Sequence, residues 1–260
     1  GRIPDQLNDE IAWRIGRAFA AYLKPRKVVV GHDIRLSSPQ MAAEVMRGLR
    51  ESGVDVYDIG QCGTEEVYFA TFDYQFDGGI TASHNPMDYN GMKLVRDNAR
   101  PISGDTGLFE IKRLAERGEF VDAEVQGSHY TLQHRARYIT HLLGYIDASA
   151  LKPLKLVVNA GNGGAGEVID ALEPLLPFEF IKLHHAPDGH FPCCRRTGRP
   201  PSRRSAPAAQ TSRSHGMATS TAAFCSTKPV PSSRGTTSSA CWPKPFCARP
   251  PAAGSSTIHA

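Results

Sequence analysis

The sequence predicts an α/β fold in which a mixed, mainly parallel sheet lies between helices, and three observations predict it. Short β-branched runs alternate with helical patterns in the order strand, helix, strand, helix, strand. The helical stretches carry apolar residues on one face only. Polar, glycine-containing turns follow the strands, which is where parallel sheets gather their ligands. At 260 residues the chain is long enough for one or two domains with a proper core.

Residues 5–23 place Leu7, Ile11, Ile15, Ala18, Phe19 and Tyr22 at helical spacing, the buried face of a core helix. Residues 27–31 read as a buried strand ending in the polar Gly31-His32-Asp33-Ile34-Arg35. Ser37-Ser38-Pro39 supplies an N-cap serine and a first-turn proline, followed by the stripe Met41, Val45, Leu49 up to Gly53. Strand 54–59, a helix near 65–72 and strand 78–81 follow, then strand 92–95. Residues 104–117 form an amphipathic helix with Leu108, Ile111 and Leu114 expected inward. The polar stretch 118–129 reads as a boundary. Beyond it lie a helix at 131–145, strand 154–158, helix 167–176 and strand 178–183. The expected organisation is a first domain at 1–130, an incomplete second α/β domain at 131–192 and a disordered tail at 193–260.

Charge separates the tail from the rest. Residues 1–192 hold all 26 acidic residues and 20 of the 30 Lys+Arg, whereas 193–260 hold no Asp or Glu and five of the six cysteines. The net +4 therefore belongs to the tail and does not point to nucleic acid or a membrane surface. One cysteine, Cys62, in the remainder suits a reducing compartment, and no apolar run is long enough to span a bilayer, so the cytoplasm is expected. Cys241 and Cys247 have no second ligand pair at zinc spacing.

The chemistry concentrates in Thr81-Ala82-Ser83-His84-Asn85-Pro86, at the end of the third strand, with Lys93 ten residues after Ser83. A serine on a rigid exposed turn, flanked by donors, can take and give a phosphoryl group, because such catalysis is mostly positioning and charge stabilisation. Composition alone also permits an ordinary loop. A second candidate is Gly161-Asn162-Gly163-Gly164-Ala165-Gly166 between a strand and a helix, which matches the G-x-G-x-x-G of dinucleotide sites. The acidic ribose partner is poorly placed there, and such turns also occur where backbone must pass closely.

These residues resemble the α-D-phosphohexomutase family, and within it the bacterial phosphomannomutase/phosphoglucomutase group. The resemblance spans residues 1–192 and rests on Gly31-His32-Asp33-Ile34-Arg35, Gly63-Thr64-Glu65, the Thr81–Pro86 string, Asp88-Tyr89-Asn90-Gly91-Met92-Lys93, Arg100-Pro101-Ile102-Ser103-Gly104-Asp105 and Pro187-Asp188-Gly189. It implies that Ser83 is a phosphoserine exchanging its phosphoryl group with a hexose phosphate and a hexose 1,6-bisphosphate. Lys93 would be the general acid/base, Arg35, His84 and Asn85 would orient the serine phosphate, and Asn90 would contribute to phosphate or substrate binding. The family requires Mg²⁺, held by the Ser83 phosphate and an Asp-Gly-Asp-x-Asp-Arg loop that this chain does not contain. No defined protein partner is implied. Relatives also begin with a further segment of which Gly1 alone corresponds, and place two more residues between Ile80 and Thr81. Losing two keeps the facing of the strand but shortens it by about 6.6 Å, which predicts a displaced Ser83.

The tail can be read as a shifted frame. Codons chosen for His215 to Cys225, regrouped, translate as W-D-G-D-F-D-R-C-F-L, the missing metal loop, and Cys193 to Gly198 regroup to L-L-P-E-N-R. The expected function is therefore a phosphohexomutase by descent, inactive as this chain. The alternatives are a remnant that binds phosphosugar weakly or not at all, and a dinucleotide oxidoreductase using residues 161–166.

Overall fold

The computed structural model describes residues 1–83, 89–190, 192 and 226–228. Helix α1, Asp9–Leu23, starts four residues later than its apolar spacing suggests, because Asn8 caps it by accepting the Ile11 N–H at 3.0 Å. Strand β1, Lys27–His32, is followed by α2, Ser38–Glu51. Pro39 lies in its first turn, but Ser37 makes no side-chain cap; its hydroxyl accepts from Asn90 instead. Then come β2, Asp55–Gln61; α3, Thr64–Asp73; β3, Gly78–Ala82; β4, Met92–Arg96; β5, Arg100–Pro101; α4, Leu108–Arg117; and β6, His129–Thr131.

These strands form one six-stranded sheet in the order β5-β4-β3-β1-β2-β6. Pairs β1–β2, β1–β3 and β2–β6 are parallel, and β4 and β5 join antiparallel. The sheet is therefore mixed and mainly parallel, as expected. The polar stretch 118–129 hid β6, which is exposed along its length and so carries no apolar alternation. One core, with Phe19, Val28, Val30, Val45, Leu49, Ile80 and Leu94, packs against α1, α2 and α4. A second, with Val29, Ile59, Cys62, Val67, Ala70 and Phe76, lies under α3. Ile111 is buried as expected, but Leu108 is exposed and lines a cleft of about 620 Å³ with Leu7, Ile11 and Leu94.

Helix α5, Arg135–Leu143, leads to β7, Leu154–Asn159, α6, Ala165–Leu172, and β8, Phe178–Leu183. β7 and β8 pair in parallel in a second sheet ordered β8-β7-β9, where β9 is Ser226–Lys228, antiparallel to β7. The expectation of a disordered tail otherwise falls on residues outside those described. Within the described part of the tail, Ser226–Lys228 pairs with the open edge of β7, whose backbone groups would otherwise lack partners.

Candidate functional site

Strands β1, β2 and β3 end side by side where β4 begins. His32 pairs with Ala82 and with Gln61, and Ala82 pairs with Met92. The ladder runs on without a break: the Asp33 N–H donates to the Ala82 carbonyl at 2.9 Å, and the Ser83 N–H to the Gly91 carbonyl at 2.9 Å. Ser83 thus stands directly at the strand end, but it is 2 % exposed, so the expectation of an exposed serine is corrected. Its backbone is tied to Gly91 by that hydrogen bond.

Arg35 is no surface salt bridge. It is 3 % exposed and forms an ion pair with Asp33, itself buried. Asp33 also accepts the Arg35 N–H at 3.0 Å and the Ser38 hydroxyl at 2.6 Å. Asn90, with no exposed surface, closes the cage by donating through Nδ2 to Ser37 and Ser38, both at 2.9 Å. Its N–H and carbonyl pair with the backbone of Gly1 at 3.0 and 2.8 Å. The amide expected at the phosphate is thus engaged in holding the arginine loop at the start of α2. Buried polar groups linked in this way are rigid, which is what a pre-aimed guanidinium requires.

Lys93 lies opposite Thr81 in the β3–β4 ladder, and Thr81 is in register with Gly31. The α3 side of this row is identified by its neighbours: a Cβ on Gly31 would meet Cys62 and Val67, and one on Gly79 would meet Thr71 and Val95. Lys93 alternates with Leu94 and shares the face of Val95, so it stands on the α3 side. There Glu65, in the first turn of α3, folds back over Gly63. Burial pushes its carboxyl above the ordinary range, with Glu66 adding to this, while its own N–H and the charge of Lys93 oppose it. His84 and Asn85 lie outside the described residues, so Arg35, Ser83, Asn90 and Lys93 are the expected site residues that the structure places, and it brings them to one sheet end.

Sequence reasoning missed the polar joint behind α3. Glu66 is buried and accepts the Gly63 N–H at 3.0 Å, pairs with His134 at 2.7 Å and with Arg135 at 2.8 Å. Arg135 continues to Glu167 in the first turn of α6 at 3.2 Å and to the Gln61 carbonyl at 3.3 Å. Burial opposes the charge of Glu66, yet the His134 hydrogen bond, the Gly63 N–H and the Arg135 guanidinium together hold its carboxyl below the ordinary range. In the sequence, two acids at a helix start signal only a favourable dipole. Burial and the Cys62 thiol, pushed well up by it, are visible only in the fold.

The glycine-rich turn is explained by packing. The Asn162 N–H donates to the His184 carbonyl at 2.7 Å, its Nδ2 to Ala186 at 3.0 Å, and its carbonyl accepts from Asp188 at 2.9 Å. A Cβ on Gly166 would stand 2.4 Å from the His185 carbonyl. The close approach at Gly166 thus serves the packing of the returning strand and its loop. That loop then reaches the arginine loop: a Cβ on Gly189 would lie 2.7 Å from the Ile34 carbonyl. A hard divalent cation wants several oxygen ligands, and no group of three or more Asp, Glu, His or Cys is arranged to hold a metal ion among the described residues. These residues do not by themselves make a Mg²⁺ site. No helix among them is long and apolar enough to cross a membrane.

Comparison with known proteins gives a consistent picture. The sequence model of the family described as phosphoglucomutase/phosphomannomutase, alpha/beta/alpha domain I, matches residues 1–122. A phosphomannomutase of Salmonella typhimurium strain LT2 is 59% identical over 201 residues, covering 74% of this chain and 44% of that protein. A phosphohexose mutase of Xanthomonas campestris pv. campestris strain B100 is 56% identical over 194 residues, 74% of this chain and 43% of that one. The crystal structure of a phosphoglucomutase/phosphomannomutase family protein from Burkholderia thailandensis superposes with a TM-score of 0.64 at 35% identity, over 74% of this chain and 43% of that one. The chain thus spans less than half the length of these relatives.

Proposed function

Since this chain belongs to the phosphoglucomutase/phosphomannomutase family through its domain I, we propose that it carries the phosphoryl-transfer half of a phosphohexomutase site, with Ser83 as the phosphoryl carrier. In this reading the phosphorylated Ser83 oxygen gives its phosphoryl group to the free hydroxyl of a mannose or glucose phosphate. The resulting 1,6-bisphosphate returns its other phosphoryl group to Ser83. The net change interconverts the 6-phosphate and the 1-phosphate. Lys93, on the same sheet end, takes the proton of the attacking sugar hydroxyl as a neutral amine and, as the ammonium so formed, returns it to the leaving one. Arg35, aimed by Asp33, bears on the serine phosphate with His84 and Asn85, and Asn90 acts by holding that loop in place. The observation that carries this reading is the meeting of Ser83, the caged Arg35 and Lys93 at one sheet end.

The family's Mg²⁺ enters no step derived for these residues. Because residues 193–260 contain no Asp or Glu, they offer no carboxylates to complete a cation site with the Ser83 phosphate. We therefore infer that the chain retains at most the serine phosphorylation step and does not turn over, the weakly binding remnant being the limiting case. Incubation of the purified chain with labelled glucose 1,6-bisphosphate and Mg²⁺ tests both parts. Label on Ser83, located by mass spectrometry and absent from Ser83→Ala, supports the carrier role, and an unlabelled wild-type chain sinks it. Net conversion of mannose 1-phosphate by this chain would refute its inactivity.

A further inference from the structure

We propose that the outer edge of β4 is a docking site for an extended peptide of a partner protein, bound as an added antiparallel strand with one large apolar side chain in the cleft beside α1 and α4. Such docking does not depend on the phosphohexomutase reading of Ser83. The register of β4 decides which of its backbone groups face outward. The Ser83 N–H donates to the Gly91 carbonyl at 2.9 Å, so Gly91, Lys93 and Val95 turn their backbone groups to β3, and Asn90, Met92 and Leu94 turn theirs away. Two of these three are engaged. Asn90 exchanges both hydrogen bonds with Gly1, at 3.0 and 2.8 Å, and Arg2 bridges Tyr89 antiparallel beside it. The Leu94 carbonyl accepts the Ile102 N–H at 2.9 Å. Between them, the outward N–H and carbonyl of Met92 have no partner among the described residues. The ladder is thus interrupted opposite residues 91–93, about 10 Å of extended chain.

The same Met92 lines the cleft of about 620 Å³, with Leu7, Ile11, Leu94, Leu108 and Ile111 around it. A residue paired with Met92 would turn its side chain to the Met92 face, which is the face of the cleft, and its two neighbours to the other. That volume holds a large side chain with ease. An open stretch within an antiparallel ladder is completed by another backbone, which a small apolar molecule does not offer. The fitting partner is therefore an extended segment with a large apolar residue between two polar ones, its central N–H donating to the Met92 carbonyl and its central carbonyl accepting the Met92 N–H.

Amide hydrogen exchange of the full chain, followed by nuclear magnetic resonance with the capped tripeptide acetyl-Thr-Phe-Thr-amide, tests this. In the free chain the Met92 amide is expected to exchange at close to the unprotected rate. Saturating peptide is expected to slow it at least about tenfold, the worth of one hydrogen bond, and to shift the Met92 and Ile111 resonances together. Acetyl-Thr-Pro-Thr-amide lacks the central N–H, and acetyl-Thr-Ser-Thr-amide lacks the apolar side chain. Both are expected to leave exchange and shifts unchanged at the same concentration. Equal protection by the proline peptide overturns the proposal, as do shifts at Ile111 with an unslowed Met92 amide, which mean a site for small apolar molecules. So does the lack of any saturable change up to about 10 mM peptide, beyond the weakest affinity expected of so short a ladder. A Met92 amide protected without peptide also overturns it: protection that grows with protein concentration assigns the edge to a second copy, and constant protection assigns it to the chain's own residues.

Discussion

The Nδ2 of Asn90 lies 2.9 Å from the hydroxyl oxygen of Ser38, which itself donates to Asp33 at 2.6 Å. A side chain entering β4 thereby fixes the carboxylate that aims Arg35. Removing it leaves buried hydroxyls and backbone without partners, so Asn90→Ala is expected to lower stability by about 2–3 kcal/mol, read from urea unfolding. Ser83 labelling should also slow, since the guanidinium loses its brace.

Gly31 is a packing requirement of the same strand end. Its missing Cβ is replaced by Cys62 Sγ, which would stand 2.4 Å away. Gly31→Ala is expected to cost about 1–3 kcal/mol through overpacking. Adding Cys62→Ala should recover part of this, and a double-mutant cycle of unfolding free energies measures the coupling.

The Glu66 joint makes stability depend on pH in a defined direction. Its carboxyl is held below the ordinary 4.5, so its contribution is complete well above that value and is lost as pH falls through its folded value. Glu65 works in the opposite sense: raised above 4.5, its ionisation costs stability, and that cost disappears on acidification. Glu66→Gln takes the carboxylate from His134 and leaves Arg135 with Glu167 and the Gln61 carbonyl only; it is expected to lose about 3 kcal/mol at neutral pH and to flatten the acid limb of a Tm–pH curve. Glu65→Gln should show no loss in the same melts.

Arg35→Lys keeps a positive charge but not the planar fork that Asp33 grips. Initial rates of Ser83 labelling are expected to fall about tenfold or more, whereas a rate equal to wild type would mean that the guanidinium does not touch the phosphate.

Coding DNA read across the Pro192 codon offers an independent check. A frame displaced after that codon should yield an acidic continuation containing W-D-G-D-F-D-R, and a chain rebuilt in that frame should turn over hexose phosphates. An undisturbed frame without that string removes the explanation offered for the acid-free tail.

Much of the fold was legible because its signals are local. The β-branched runs at Lys27–His32 and Gly78–Ala82 and the stripes of α1 and α2 report burial directly. β6 escaped because its three residues are exposed and gain only backbone pairing. In the site, Ser83, Arg35 and Lys93 declared themselves by chemistry at strand ends. The contact of Asn90 with Ser38 was not legible, because an asparagine beside a phosphate motif says nothing of which partner takes its amide, and that partner lies 52 residues away. Glu66, His134 and Arg135 are 68 or more residues apart across the contact, a separation no local pattern spans.

The antiparallel pairing of β7 with Ser226–Lys228 carries a consequence for solution behaviour. A backbone ladder recognises spacing rather than side chains, so the edge of β7 is served by whichever strand is present at the highest effective concentration. While the tethered segment is there, that competitor is intramolecular. Cleaved away, it would leave the position open to a neighbouring molecule, and the protein's oligomeric state would become a matter of dilution.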